Sequence, residues 1–193
     1  MSNTETEPRE AVCGATGTAV APARELLPGR EVVLGGPRGM AVTRTLPNRT
    51  RRMVGGWCFL DHFGPQEVAG GPGMRVPPHP HTGLQTVTWL VDGEVLHRDS
   101  LGSRQLVRPG QLNVMTAGHG ISHSEESPPD RSPVLHGVQL WAAMPDPARH
   151  GPSGFDHHPE LPVLADGGVR VTVMVGEVAG ATSPARSFTA GRR

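Results

Sequence analysis

From Glu31 onward the chain is a succession of short runs in which apolar and polar residues are interleaved: EVVL, AVTRT, WCFLDHF, QTVTWLV, EVLHRD, RQLVR, QLNVM and VLHGVQLW. Their length, their β-branched and aromatic content and the turn residues that bound them predict β-strands. Asp92-Gly93, set between Val91 and Glu94, has the form of a two-residue hairpin, and Leu101-Gly102-Ser103 and Pro109-Gly110 mark further turns. Strands at such close spacing predict an all-β sandwich or barrel.

Outside that ladder the texture changes. Residues 1–28 lack hydrophobic periodicity and are rich in Ala, Thr, Glu and Pro, which predicts a mobile tail. The main β domain is expected at 29–145. After Met144 the stretch PDPARHGPSGFDHHPELP is proline-rich and irregular and reads as a linker or surface arm. One more strand is expected beyond it, VRVTVMV at 169–175, so that 146–193 comprises a linker plus one strand.

Composition narrows the function. The 26 glycines and 20 prolines among 193 residues favour tight turns over long helices. The 18 basic and 18 acidic residues cancel, so neither nucleic acid nor an anionic membrane is an expected direct partner. Every basic residue is arginine, which excludes a lysine Schiff base or a lysine general base. Cys13 and Cys58 lie far apart without CxxC spacing, implying neither a disulfide framework nor a cysteine zinc site. With no apolar leader and no long apolar run, a soluble cytoplasmic protein is expected.

The chemistry begins at HPH, residues 79–81. Side chains alternate faces along a strand, so His79 and His81 share one face while Pro80 points away. Further on, GHGISHSEE repeats the i, i+2 arrangement with His123 and Glu125. An HxH alone is as readily a core histidine with satisfied hydrogen bonds; a second such pair on another strand makes chelation the stronger reading. Three imidazoles and one carboxylate suit Fe(II), Mn(II), Ni(II), Cu(II) or Zn(II) rather than calcium or magnesium. The remaining histidines, at 62, 97, 119, 136, 150, 157 and 158, do not share the pattern. His97 and His136 read as structural or supporting residues within strands and His157 and His158 as solvated, while His119 is close enough to His123 to enter a pocket. Ser122 and Ser124 face away from His123 by alternation, and no nucleophile triad or phosphate loop is legible. Arg44, Arg49, Arg51 and Arg52 read as a solvated loop.

The segments WCFLDHFGP, PPHPHTGLQTVTWLVDGEVLHRDSLG, RPGQLNVMTAGHGISHSE and VLHGVQLWAAMP resemble the N-terminal cupin domain of the pirin family, over roughly residues 30–180. Pirins are bicupins with metal in the first barrel only. The resemblance implies an all-β cupin-type jelly-roll β-barrel at 29–145, with a C-terminal arm that completes it or begins a truncated second cupin domain. Carried over by motif, the family's metal ligands fall on His79, His81, His123 and Glu125, the same four that strand alternation selects. It also implies one divalent ion, Fe(II) ahead of Cu, Ni, Mn or Zn.

Two functions of different class come with that resemblance. One is a quercetinase-like dioxygenase cleaving a flavonol such as quercetin with O2, in which Glu125 serves as ligand and as base for the substrate hydroxyl. The alternative is an iron-dependent redox-sensing protein that binds a transcription factor or metabolic enzyme without turnover. Two residues depart from the pattern. Gln85 replaces a general cupin glutamate, removing at most a supporting charge near the metal, and His119 stands where many relatives have arginine.

Overall fold

The computed structural model describes residues 25–34 and 40–188. Cys13 and most of the expected tail lie outside the described residues. The first ten strands are β1 (Arg30–Leu34), β2 (Met40–Leu46), β3 (Trp57–Glu67), β4 (Arg75–His81), β5 (Leu84–Asp92), β6 (Val95–Asp99), β7 (Arg104–Val107), β8 (Leu112–Thr116), β9 (Ile121–Glu126) and β10 (Val134–Ala143). All eight sequence runs coincide with one of them, and β4 and β9 carry the two candidate ligand pairs. Among the described residues no helix is long and apolar enough to cross a membrane.

A seven-stranded antiparallel sheet, β1-β2-β3-β10-β5-β8 with a further strand at its edge, packs on a four-stranded sheet, β4-β9-β6-β7. The chain changes sheets after β3, β4, β5, β7, β8 and β9, and β10 inserts between β3 and β5. This is the jelly roll of a cupin. The crossings correct one expectation: Asp92-Gly93 is not a hairpin, because β5 and β6 lie in different sheets. Gly93 is needed there for space as well as for its φ of 81°, since a Cβ would stand 2.4 Å from the Val134 carbonyl oxygen. The Leu101-Gly102-Ser103 turn does join paired strands, β6 and β7.

Between the sheets, one cluster gathers Met40, Val42, Phe63 and Leu90 from the larger sheet with Val95 and Val107 from the smaller. Each fully buried aliphatic or aromatic side chain of this kind contributes about 1.5–3 kcal/mol to folding. A buried ion pair lies within the larger sheet: Arg44 Nε and Nη2 donate to the two oxygens of Asp61, each at 2.8 Å, while the guanidinium lies 4.2 Å from the Phe59 ring centre. Arg44 therefore does not belong with the solvated arginines. Its place on β2, opposite Asp61 in register, decides its environment.

Five strands, not one, follow Met144: β11 (Gly154–His158), β12 (Val163–Asp166), β13 (Val169–Thr172), β14 (Glu177–Val178) and β15 (Ala181–Thr182). β11 is the further strand of the seven-stranded sheet, pairing with β8 from Gly154↔Thr116 to His158↔Leu112. GFDHH has no alternation of its own; the open edge of β8 makes it a strand. His157 is accordingly half-buried and bonded to the Asn113 side chain at 2.7 Å, rather than solvated. Later residues, Leu161, Met174, Val175 and Ala185, cover Val87, Leu112 and Val114 on the outer face of β5 and β8. Gln85 belongs to that outer face, donating to Thr116 Oγ1 and the Arg186 carbonyl and accepting from the Phe188 N–H. It is not near the candidate ligands.

Candidate metal centre

β9 alternates strictly, with Ile121, His123 and Glu125 buried and Ser122, Ser124 and Glu126 half-buried. A register shift in β4 between Val76 and His79 sets His79 opposite His123. On the other side of β9, Asp99 of β6 also lies opposite His123, and His97 lies opposite Glu125. Strand register thus collects three imidazoles, with ring centres 4.8 Å apart for His79 and His81, 4.5 Å for His79 and His123, and 5.0 Å for His81 and His123. His81 Nε2 and His123 Nε2 are 3.1 Å apart. Two nitrogens bound at right angles to one ion, each at about 2.0–2.1 Å, would be separated by about 3 Å.

The four sequence-derived ligands do not form one set. His79, His81 and His123 offer ligand atoms within 4.8 Å of one another, and Glu125 forms a second such group with His123 and His97. Glu125 is held on the far side of His123 by Thr88, whose hydroxyl lies 3.2 Å from Glu125 Oε1 and 2.7 Å from Gln139 Oε1. A hydroxyl has a single proton. Both contacts are satisfied when Glu125 is protonated and donates to Thr88, which in turn donates to Gln139.

Burial sets the charges. It pushes the Glu125 carboxyl up to about 7, against the lowering effect of Thr88 and Gln139. A cavity of about 20 Å³ beside Glu125 is lined mainly by Leu34, Phe63, Met74, Val76 and Val95, so little water solvates the carboxylate form. Burial, reinforced by repulsion from His79, lowers His81 to about 4; burial and the neighbouring His79, His81 and His97 lower His123 to about 2. The His81 and His123 imidazoles are therefore neutral near pH 7, the form that binds metal. His79 donates from Nδ1 to the Pro77 carbonyl at 2.8 Å, leaving its Nε2 lone pair available. Neutral imidazoles beside a carboxyl fit a divalent transition ion.

Asp99, Phe155 and Trp141 escape sequence reasoning, while His97, read as a structural or supporting residue, takes such a place. His97 lies 3.0 Å from Asp99 Oδ2 through Nε2 and 3.4 Å from His123 Nδ1 through Nδ1, and its ring stacks on Phe155 of β11 at 4.3 Å. The HRD at 97–99 has the same i, i+2 spacing as HPH, which puts His97 and Asp99 on one face. Trp141, from the opposite sheet, sets its ring against His81 at 4.8 Å and stacks on Phe59 at 4.0 Å. Its indole N–H is buried without a partner. His119 stays outside: its backbone N–H and Nδ1 both contact the Gly151 carbonyl, tying the turn before β9 to the arm. Ser122 donates to the His79 carbonyl at 3.3 Å, as a wall residue would. His62 and His136 pair with each other, Nε2 to Nε2 at 2.9 Å. A larger cavity, about 250 Å³, is lined by Glu31, Thr43, His62 and Gln66 but by no member of the centre.

Comparison with known proteins agrees with this architecture. The profile of the family described as Pirin matches residues 39–142, more than half of the chain. A Pseudomonas aeruginosa protein named "Putative quercetin 2,3-dioxygenase" is 47% identical over 98% of the chain and 59% of its own length. A pirin-like protein of Caulobacter vibrioides is 42% identical over 74% of the chain and 52% of its own length. Among solved structures, a quercetin 2,3-dioxygenase from Acinetobacter baumannii superposes with a TM-score of 0.79 at 49% identity, covering 83% of this chain and 52% of that one. The chain thus spans between about half and three-fifths of the length of these relatives.

Proposed function

The chain belongs to the pirin family, and on that premise we propose that it is a metal-dependent dioxygenase that cleaves a flavonol such as quercetin with O2. The observation that carries this reading is the convergence of His79, His81 and His123 beside Glu125, a carboxyl that burial pushes up to about 7. The names of the Pseudomonas and Acinetobacter relatives support the substrate class.

In this reading one divalent ion, Fe(II), would be held by His79, His81 and His123, with the Glu125 carboxyl beside them, and when bound would supply Lewis-acid and dioxygen chemistry. Glu125 accepts the proton of the substrate hydroxyl, a task suited to a group whose pKa lies near the working pH. Thr88 and Gln139 hold the carboxyl in place and offer the hydrogen bonds that its two protonation states require. Trp141 and Phe155 wall the imidazoles against water.

Aerobic incubation of the iron-loaded protein with quercetin tests the proposal, by loss of the flavonol absorbance and release of carbon monoxide. Turnover supports it. No turnover with iron, copper, nickel or manganese would leave the chain as a metal-dependent binding protein. A Glu125→Gln variant that kept its metal and full turnover would remove the base role.

A further inference from the structure

A histidine binds metal through a lone pair, so the nitrogen that carries its proton decides whether it can bind at all. At His123 a chain of contacts fixes that choice. The Asp99 side chain is fully buried, and its Oδ1 accepts the backbone N–H groups of Leu101 at 2.9 Å and Ser103 at 3.0 Å. The Ser103 side chain also bonds this carboxylate, and Oδ2 accepts from His97 Nε2 at 3.0 Å. A carboxylate only accepts, so the proton of neutral His97 resides on Nε2 and its Nδ1 bears the lone pair. That lone pair faces His123 Nδ1 across a long contact of 3.4 Å. His123 therefore carries its proton on Nδ1 and turns a free Nε2 toward His81, 3.1 Å away. Phe155, stacked on His97 with an interplanar angle of 18°, fixes the plane of the relaying ring.

We propose that Asp99 and His97 are positioning residues: they set the tautomer of His123 and so govern how tightly the centre takes its metal. The proposal rests on reading His79, His81 and His123 as a metal-binding set, and not on the dioxygenase activity.

Asp99→Asn tests it with almost no change of volume. The two backbone donors keep the amide oxygen at the Oδ1 position, so the amide NH2 takes the Oδ2 position and points at His97 Nε2. His97 must then accept there, moving its proton to Nδ1. That proton faces His123 Nδ1 and drives the His123 proton to Nε2, where the metal-binding lone pair belongs. His97→Phe removes the relay altogether and leaves His123 free to take either tautomer. Zinc affinity, measured by competition with a chromophoric chelator, is expected to fall 10–100-fold in Asp99→Asn and by less in His97→Phe, although the latter is the larger change. In the metal-free protein, long-range ¹⁵N–¹H correlation spectra should place the His123 proton on Nδ1 in the parent and on Nε2 in Asp99→Asn.

Zinc binding by Asp99→Asn within about twofold of the parent, or an unchanged His123 tautomer, would overturn the proposal. So would a greater loss in His97→Phe than in Asp99→Asn, which would make His97 itself a ligand. A parent protein that binds no zinc, nickel or iron would sink the metal centre, and the tautomer spectra would still decide the relay.

Discussion

Replacing Glu125 by glutamine should stabilise the metal-free protein, by an amount that depends on pH. Burial pushes the carboxyl up to about 7 in the fold, from a reference value of 4.5. At about 1.4 kcal/mol per pH unit, ionising it in place costs about 3 kcal/mol. Between those two pH values the folded state holds a proton that the unfolded chain has released, so stability falls as pH rises through the window. Below about 4.5 the penalty is absent, and above about 7 it is complete. Glutamine has the same size, cannot ionise and can still hydrogen-bond to Thr88. Glu125→Gln should therefore exceed the parent by about 1 kcal/mol at pH 5.5 and about 3 kcal/mol at pH 8, the latter a gain of about 6–12 °C in Tm at this chain length. His81 and His123, whose lowered values work in the opposite direction and reduce stability as pH falls below 6.5, are common to both proteins and cancel in the difference. Urea denaturation of the chelator-treated pair at several pH values measures the gap. A gap that is absent, or that does not widen with pH, would refute the reasoning that burial holds Glu125 protonated.

Two further substitutions test the framework around the centre. Arg44→Ala leaves the fully buried Asp61 carboxylate without its partner and should lower stability by about 3–5 kcal/mol in urea denaturation; adding Asp61→Asn should recover part of the loss. At Gly118 φ is 52°, and a Cβ would stand 2.3 Å from the Gly151 carbonyl oxygen. Gly118→Ala should push the arm away, costing about 1–3 kcal/mol in thermal melts and weakening zinc binding as Phe155 leaves His97.

Much of this was legible in the sequence because it depends on alternation. Eight apolar runs became strands, and HPH and SHSE gave inward-facing pairs because every second side chain on a strand shares a face. What could not be read depends on which strands become neighbours. The turn at Asp92-Gly93 has the local form of a hairpin, and only the sheet order shows that it is a crossing. Arg44 shares its composition with Arg49, Arg51 and Arg52 and differs in lying across from Asp61. His97 and Asp99 share a face by spacing, and only the pairing of β6 with β9 sets them opposite Glu125 and His123. Phe155 sits in a proline-rich stretch with no periodicity, and the exposed edge of β8 recruits it.

β8 is gripped on both faces by residues that come later in the chain: Phe155 belongs to the cluster with Met115 on the inner side, and Ala185 to the cluster with Leu112 and Val114 on the outer. The order of synthesis is thus the reverse of the order of enclosure. The imidazoles of β4 and β9 leave the ribosome first, and the ring that steadies their relay follows about thirty residues behind His123. A nascent chain therefore has its donors before it has the wall that shelters them.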